Sequence, residues 1–291
     1  MSASLENNLK PTVPACSHGS RVRRRRDLSV AASRKVTYLS FSLVLLGGIV
    51  AVLASRLSPE PGPTTVKPVA NTPVRPSSLD SAPSEVQEFL GRVLEKVPDI
   101  GTGVDGYQFW HWAWEGRPTH EAIGFKTVPG VDPHQLIARV MDVDHYKGNL
   151  AHVEACRSEQ DPAFMPPEKV RFFQLISVPG VAKVQQELVL VDAGTVKGYR
   201  VAYWYLLKDK TKSLDPKVAA RSDFNIGAWL VAPGVVGYAL SSWPKRDDVN
   251  TLQWLSLTSG ANALAKKVVE GNIDGMAAWA KKPGEVGPPS R

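Results

Sequence analysis

Cysteine is nearly absent from this chain. Only Cys16 and Cys156 occur among 291 residues, and they flank the one long uncharged run, so no disulfide framework is expected to hold the fold. Cys156, close to Val153 and Ala155, reads as a packed thiol. Short catalytic signatures are missing too. There is no G-x-S-x-G, no H-E-x-x-H, no P-loop and no dinucleotide fingerprint in a strand-to-helix setting. Nothing therefore singles out a base or a nucleophile. A basic folded surface is also lacking. The net charge is +7, but residues 1–35 hold eight Lys/Arg against two acids, and the rest holds 27 basic against 26 acidic side chains. That nearly neutral remainder offers phosphate backbones no electrostatic footprint, so nucleic acid is not an expected partner.

What the chain does have is one apolar run, residues 36–54, beginning at Val36 and ending at Ala54 without a single charge. Its length suits a helix crossing a ~30 Å hydrocarbon layer at ~1.5 Å per residue. Arg21, Arg23, Arg24, Arg25, Arg26, Arg34 and Lys35 precede it, whereas Arg56 alone follows before Glu60. Lys and Arg stay on the cytoplasmic side, which places the N-terminus inside and the C-terminal part in the periplasm or outside the cell. A single-pass signal anchor over 36–55 is the expectation, with cleavage after Val52-Leu53-Ala54 as the alternative. Residues 1–35 read as a disordered basic tail. Residues 56–83, with seven prolines, read as an extended tether. The folded domain is assigned to 84–282 and a frayed tail to 283–291.

Ser84 to Gln87 has the capping-box pattern, and Val86, Phe89, Leu90, Val93 and Leu94 follow at helical spacing. Residues 107–114 are dense in aromatics. As a strand they put Trp110, Trp112 and Trp114 on one face, either packed on the core or exposed as a binding patch. Residues 119–128 read as a strand. Asp132-Pro133 reads as the cap and first residue of a helix that buries Leu136, Ile137, Val140 and Met141. A shorter helical piece at 144–150 and a strand at 152–157 follow. Extended segments then run over 170–178, 181–191, 199–208, 222–231 and 235–243. They are parted by Pro179-Gly180, Asp192-Ala193-Gly194, a polar loop through Asp215-Pro216, and Pro233-Gly234. One long helix over 252–281 closes the pattern.

This order, with Val128-Pro129-Gly130-Val131-Asp132-Pro133 leading into the first helix of that pattern and Asp144-His145-Tyr146 in the second, resembles the START-like superfamily. The same group is called the polyketide cyclase or SRPBCC superfamily. The resemblance covers about residues 117–281. It implies an α+β helix-grip fold, in which a curved antiparallel sheet wraps the long C-terminal helix and encloses an apolar cavity. The implied ligand is a lipid or other hydrophobic small molecule, with no cofactor. Members that are enzymes use scattered polar cavity residues, so cyclase, aromatase or hydrolase chemistry stays open, as does an interaction module at the cell envelope. Two departures stand out: the extra segment 84–116 and the polar loop 209–221.

Strand alternation proposes the lining. On 199–208 the charges Arg200 and Lys208 mark an outer face and leave Tyr199, Tyr203 and Tyr205 inside. On 170–178 Arg171 marks the outer face and leaves Phe172, Gln174 and Ile176 inside, while Phe224 and Ile226 give a third inward row. From the helix, Leu264 and Val268 are expected to meet the sheet, and Gly271 and Gly275 to widen the cavity, to let the helix lift as a gate, or merely to weaken the helix. A solid core is the alternative to a cavity. No metal site is expected: a strand holds His152 and Cys156 about 13 Å apart, beyond shared ligation. Asp142 and Asp144, between two helices, read as caps rather than as a carboxylate pair.

Overall fold

A computed structural model describes residues 79–178, 182–259 and 261–282. The expected anchor, most of the tether and the tail 283–291 lie outside the described residues. Among the described residues no helix is long and apolar enough to cross a membrane.

The elements run α1 (Ser84–Leu94), β1 (Tyr107–Trp112), β2 (Glu121–Thr127), α2 (Pro133–Met141), β3 (Val153–Glu159), β4 (Lys169–Val178) and β5 (Ala182–Val196). After them come β6 (Tyr199–Leu206), α3 (Lys208–Lys212), β7 (Ala220–Ala232), β8 (Val235–Pro244), α4 (Thr251–Ser259) and α5 (Ala261–Ala280). The strands make one sheet in the order β1-β2-β8-β7-β6-β5-β4-β3, antiparallel at each neighbouring pair. A short parallel pairing of Val184 and Gln185 with Ala220 and Arg221 also draws β7 onto β5, just where β6 ends.

Local chemistry explains the element ends. At α2 the Asp132 carboxylate accepts from the backbone N–H of His134 at 2.8 Å and of Gln135 at 3.4 Å, with Pro133 behind it. The capping box at Ser84 does not form. The cap position falls on Pro83, which has no side-chain acceptor, and Gln87 instead donates to the Ala82 carbonyl at 2.9 Å. The Gly101-x-Gly103-x-x-Gly106 spacing connects helix α1 to strand β1, the reverse of a dinucleotide site, and all three glycines take positive φ. Asp192-Ala193-Gly194 is not a turn. It is a bulge within β5, and the hairpin reverses at Lys197 and Gly198, whose φ values are 48° and 79°. The expected helical piece at 144–150 is reduced to the 3-10 turn Val143–His145, and the C-terminal region forms two helices, α4 and α5.

Both faces of the sheet are covered. On one, α2 and α5 bury Leu136, Ile137, Val140, Val269, Ile273 and Met276 against Val170, Leu188, Ala202 and Trp229. On the other, α1 buries Val86, Phe89, Leu90 and Val93 against Ile123, Phe125, Val189, Val201 and Leu230. The extra N-terminal segment thus supplies a second core. It is clamped by Arg92, whose Nε and Nη2 each donate at 2.9 Å to an oxygen of Glu121, a carboxylate with no exposed side-chain surface. Arg117 adds a contact at 3.3 Å. Trp110 and Trp112 pack against this core, whereas Trp114 stays 38% exposed with the Arg92 guanidinium 4.7 Å from its ring. The three tryptophans therefore do not form one exposed patch.

Candidate functional site

A cavity of about 190 Å³ lies on the sheet face that carries α5. Phe172, Gln174 and Ile176 of β4, Gln186, Leu188 and Leu190 of β5, Trp204 of β6 and Asn225 and Trp229 of β7 form its floor. Tyr238 and Leu240 of β8 continue it, and Leu257, Leu264, Ala265, Val268 and Asn272 of α4 and α5 face them. Ala151 and His152, both exposed, mark where the cavity meets solvent. Among the described residues no Asp, Glu, Lys or Arg lines it.

Of the residues assigned to the lining from sequence, Phe172, Gln174, Ile176, Leu264 and Val268 reach the cavity. Tyr199, Tyr203, Tyr205, Phe224 and Ile226 do not; they point to the opposite face and pack with the α1 core. Tyr199 there donates its hydroxyl to the Pro98 carbonyl at 2.8 Å. The error has a physical cause. Arg200 sits on the α2 side near the start of β6, where its guanidinium reaches Asp192 at 2.6 Å and His134 at 3.0 Å, so its charge did not mark a solvated face. Because α1 covers the other face, both rows of β6 are apolar, and alternation alone cannot say which one meets a ligand.

The residues that the alternation missed are Trp204, Asn225 and Gln186, which form a hydrogen-bonded row across the floor. Trp204 Nε1 donates to Asn225 Oδ1 at 2.8 Å, Asn225 Nδ2 to Gln186 Oε1 at 2.7 Å, and Gln186 Nε2 to Gln174 Oε1 at 2.8 Å. An amide inside an apolar strand is costly to bury unless bonded, and that was the available signal in Lys183-Val184-Gln185-Gln186 and Phe224-Asn225-Ile226. Gly227 makes room for the row's first member. A Cβ added there would stand 2.0 Å from Trp204 Cζ2 and 2.6 Å from the Ala239 carbonyl, so only glycine lets the indole lie against β7.

Several other polar groups at the cavity are braced. Tyr146 donates its hydroxyl to the Val140 carbonyl, and burial pushes its phenol well up. Burial likewise pushes the Tyr238 phenol up, opposed by a hydrogen bond with Asn272. Both stay neutral at ordinary pH, so neither offers a base. His120 has its Nδ1 2.9 Å from that of His111, one of the two donating. Asp142 and Asp144 are no catalytic pair: Asp142 takes His145 Nδ1 at 2.7 Å, and Asp144 takes Ser158 N at 2.6 Å and Ser158 Oγ at 2.8 Å. Among the described residues no three His, Cys, Asp or Glu are grouped to hold a metal. Burial also pushes the Cys156 thiol up, as expected of a packed cysteine.

No family model matches the chain, and no curated protein does. Solved structures do match. The STAR-related lipid transfer protein of Xanthomonas axonopodis superposes with a TM-score of 0.50 at 14% identity, over 62% of this chain and 97% of that one. Human STARD10 superposes with a TM-score of 0.50 at 16% identity, over 68% of this chain and 81% of that one. At such identities the common property is the fold. The eight-stranded sheet gripping a C-terminal helix is START-like.

Proposed function

We propose that this chain binds a lipid or other apolar small molecule in the cavity between the sheet and α5, and that residues 36–54 tether the domain to a membrane outside the cytoplasm. The observation that carries the binding reading is the lining: an apolar pocket with a few placed amides and, among the described residues, no Asp, Glu, Lys or Arg. The START-like fold supports it, since one superposed structure is that of a STAR-related lipid transfer protein. The tether reading rests on the uncharged run and the basic flank before it. At about 190 Å³ the cavity is smaller than the ~300–1,000 Å³ of drug-sized sites. The ligand is therefore either compact or leaves part of its length in the opening beside Ala151 and His152.

The test is to purify the full chain from native membranes, extract it and identify retained lipids by mass spectrometry against a variant with Leu188→Trp and Val268→Trp filling the cavity. A species held by the native chain and lost from the filled variant supports binding. Equal, non-specific lipid in both refutes it. Orientation is tested by a reporter fused after Arg291; cytoplasmic reporter activity would refute the external placement.

A further inference from the structure

The amide row in the cavity floor has a direction fixed by its first member. An indole N–H can donate and cannot accept, so Trp204 forces the oxygen of Asn225 toward itself. The Asn225 amide group is then left to donate to Gln186 Oε1, and the Gln186 amide group to donate to Gln174 Oε1. No flip of any one amide keeps all three bonds. What remains at the far end is the Gln174 amide nitrogen, a donor for which no hydrogen bond exists among the described residues. It is not sealed in either. The buried side-chain atoms without partners among the described residues are Arg200 Nε and Ser241 Oγ. Gln174 lines the cavity, so this donor is reachable from it.

We propose that the row Trp204–Asn225–Gln186–Gln174 is a recognition site for an uncharged oxygen acceptor, such as a ketone or ester carbonyl, on an otherwise apolar ligand. The proposal rests on the reading that the cavity takes an apolar ligand and deepens it by naming the ligand's polar group. Three observations converge. The oriented row ends on a Gln174 N–H with no partner among the described residues, while Gln174 Oε1 already accepts from Gln186, which favours an acceptor on the ligand. Each bond in such a chain polarises the next, so the terminal N–H is a better donor than an isolated amide. Among the described residues the lining holds no Lys or Arg, so a carboxylate or phosphate would find no permanently charged partner there. An apolar ligand with no oxygen would meet the Gln174 N–H without satisfying it, and that mismatch gives the discrimination.

The experiment uses the full chain in lipid nanodiscs and three photoreactive probes of one medium chain length, ending in a methyl ketone, a plain methyl or a carboxylate. Crosslinks to peptides carrying Leu188 and Trp229 separate cavity labelling from labelling in the bilayer. The expected result is half-saturation by the ketone at about tenfold lower concentration than by the hydrocarbon, the affinity equivalent of one net hydrogen bond. In Gln174→Leu that ratio falls to about one while hydrocarbon labelling persists. In Trp204→Phe, which keeps an aromatic ring and removes the anchoring donor, the amides lose their fixed direction and the ketone preference also drops. A ketone preference unchanged in Gln174→Leu, or a carboxylate probe labelling as well as the ketone, overturns the proposal and leaves apolar binding standing. No labelling of cavity peptides by any probe overturns both.

Discussion

The clamp between α1 and the sheet makes an asymmetric stability prediction. Glu121 has no exposed side-chain surface, whereas Arg92 and Arg117 keep 26% and 29% of theirs. Replacing Arg92 by Met removes both 2.9 Å bonds and leaves a buried carboxylate with the single 3.3 Å contact from Arg117. Stranding one member of a buried pair costs about 3–5 kcal/mol. The guanidinium also loses its place over Trp114, at 4.7 Å, which adds about 0.5–1 kcal/mol. Replacing Glu121 by Met removes the buried member instead. The two arginines can then turn their heads to water, and an apolar side chain of similar shape fills the site, so the cost is about 1 kcal/mol or less. Arg92→Met should therefore be the more damaging change by roughly 2 kcal/mol or more. The double variant should be more stable than Arg92→Met alone. Urea unfolding followed by tryptophan fluorescence gives both comparisons. If Glu121→Met proves as costly as Arg92→Met, or the double variant no better, the clamp is not holding the extra segment by a desolvated charge.

Three further outcomes follow from the same structure. Gly271→Ala, in a helical position with open space around the added methyl, should raise stability by about 1 kcal/mol in thermal unfolding and leave lipid retention unchanged, since Gly271 does not line the cavity. Gly227→Ala should destabilise by about 1–3 kcal/mol and reduce lipid retention, because the methyl collides with Trp204 and with the Ala239 carbonyl. The Arg221 guanidinium, bonded at 2.7 and 2.9 Å, holds the Asp248 carboxyl below its ordinary value of 3.8. A depressed folded value means this pair contributes fully above that ordinary value and loses its contribution as pH falls through the folded one. A stability titration from pH 5 downward should accordingly fall less steeply in Asp248→Asn than in the native chain.

The order of strands and helices was legible because turns, caps and alternation act over a few residues. Asp132-Pro133 declared the start of α2 with its own side chain. Failures came where a distant segment changed the meaning of a local pattern. The bulge at Asp192 to Gly194 looked like a hairpin turn because Asp and Gly suit both, and only the register of β5 against β6 decides between them. Gly275 reads from the sequence as a cavity-widening or gating position, yet its nearest neighbours are Asn149 and Leu150, so its missing side chain gives close packing against a loop.

The lining depended most on what was distant. In a sheet with one wet face, the tyrosine row of β6 would have been the apolar side and the cavity wall. Here α1 dries that face, so Tyr199 and Tyr203 are core residues and the cavity face passes to Trp204. The sequence still marked the result, but through amides rather than through apolar residues. Gln186 and Asn225 lie inside strands otherwise suited to burial, and the bond between them joins β5 to β7, which pair beyond the end of β6. A polar side chain that the fold goes to such lengths to satisfy is a stronger pointer to a site than an apolar face, because the apolar face is needed for folding in any case.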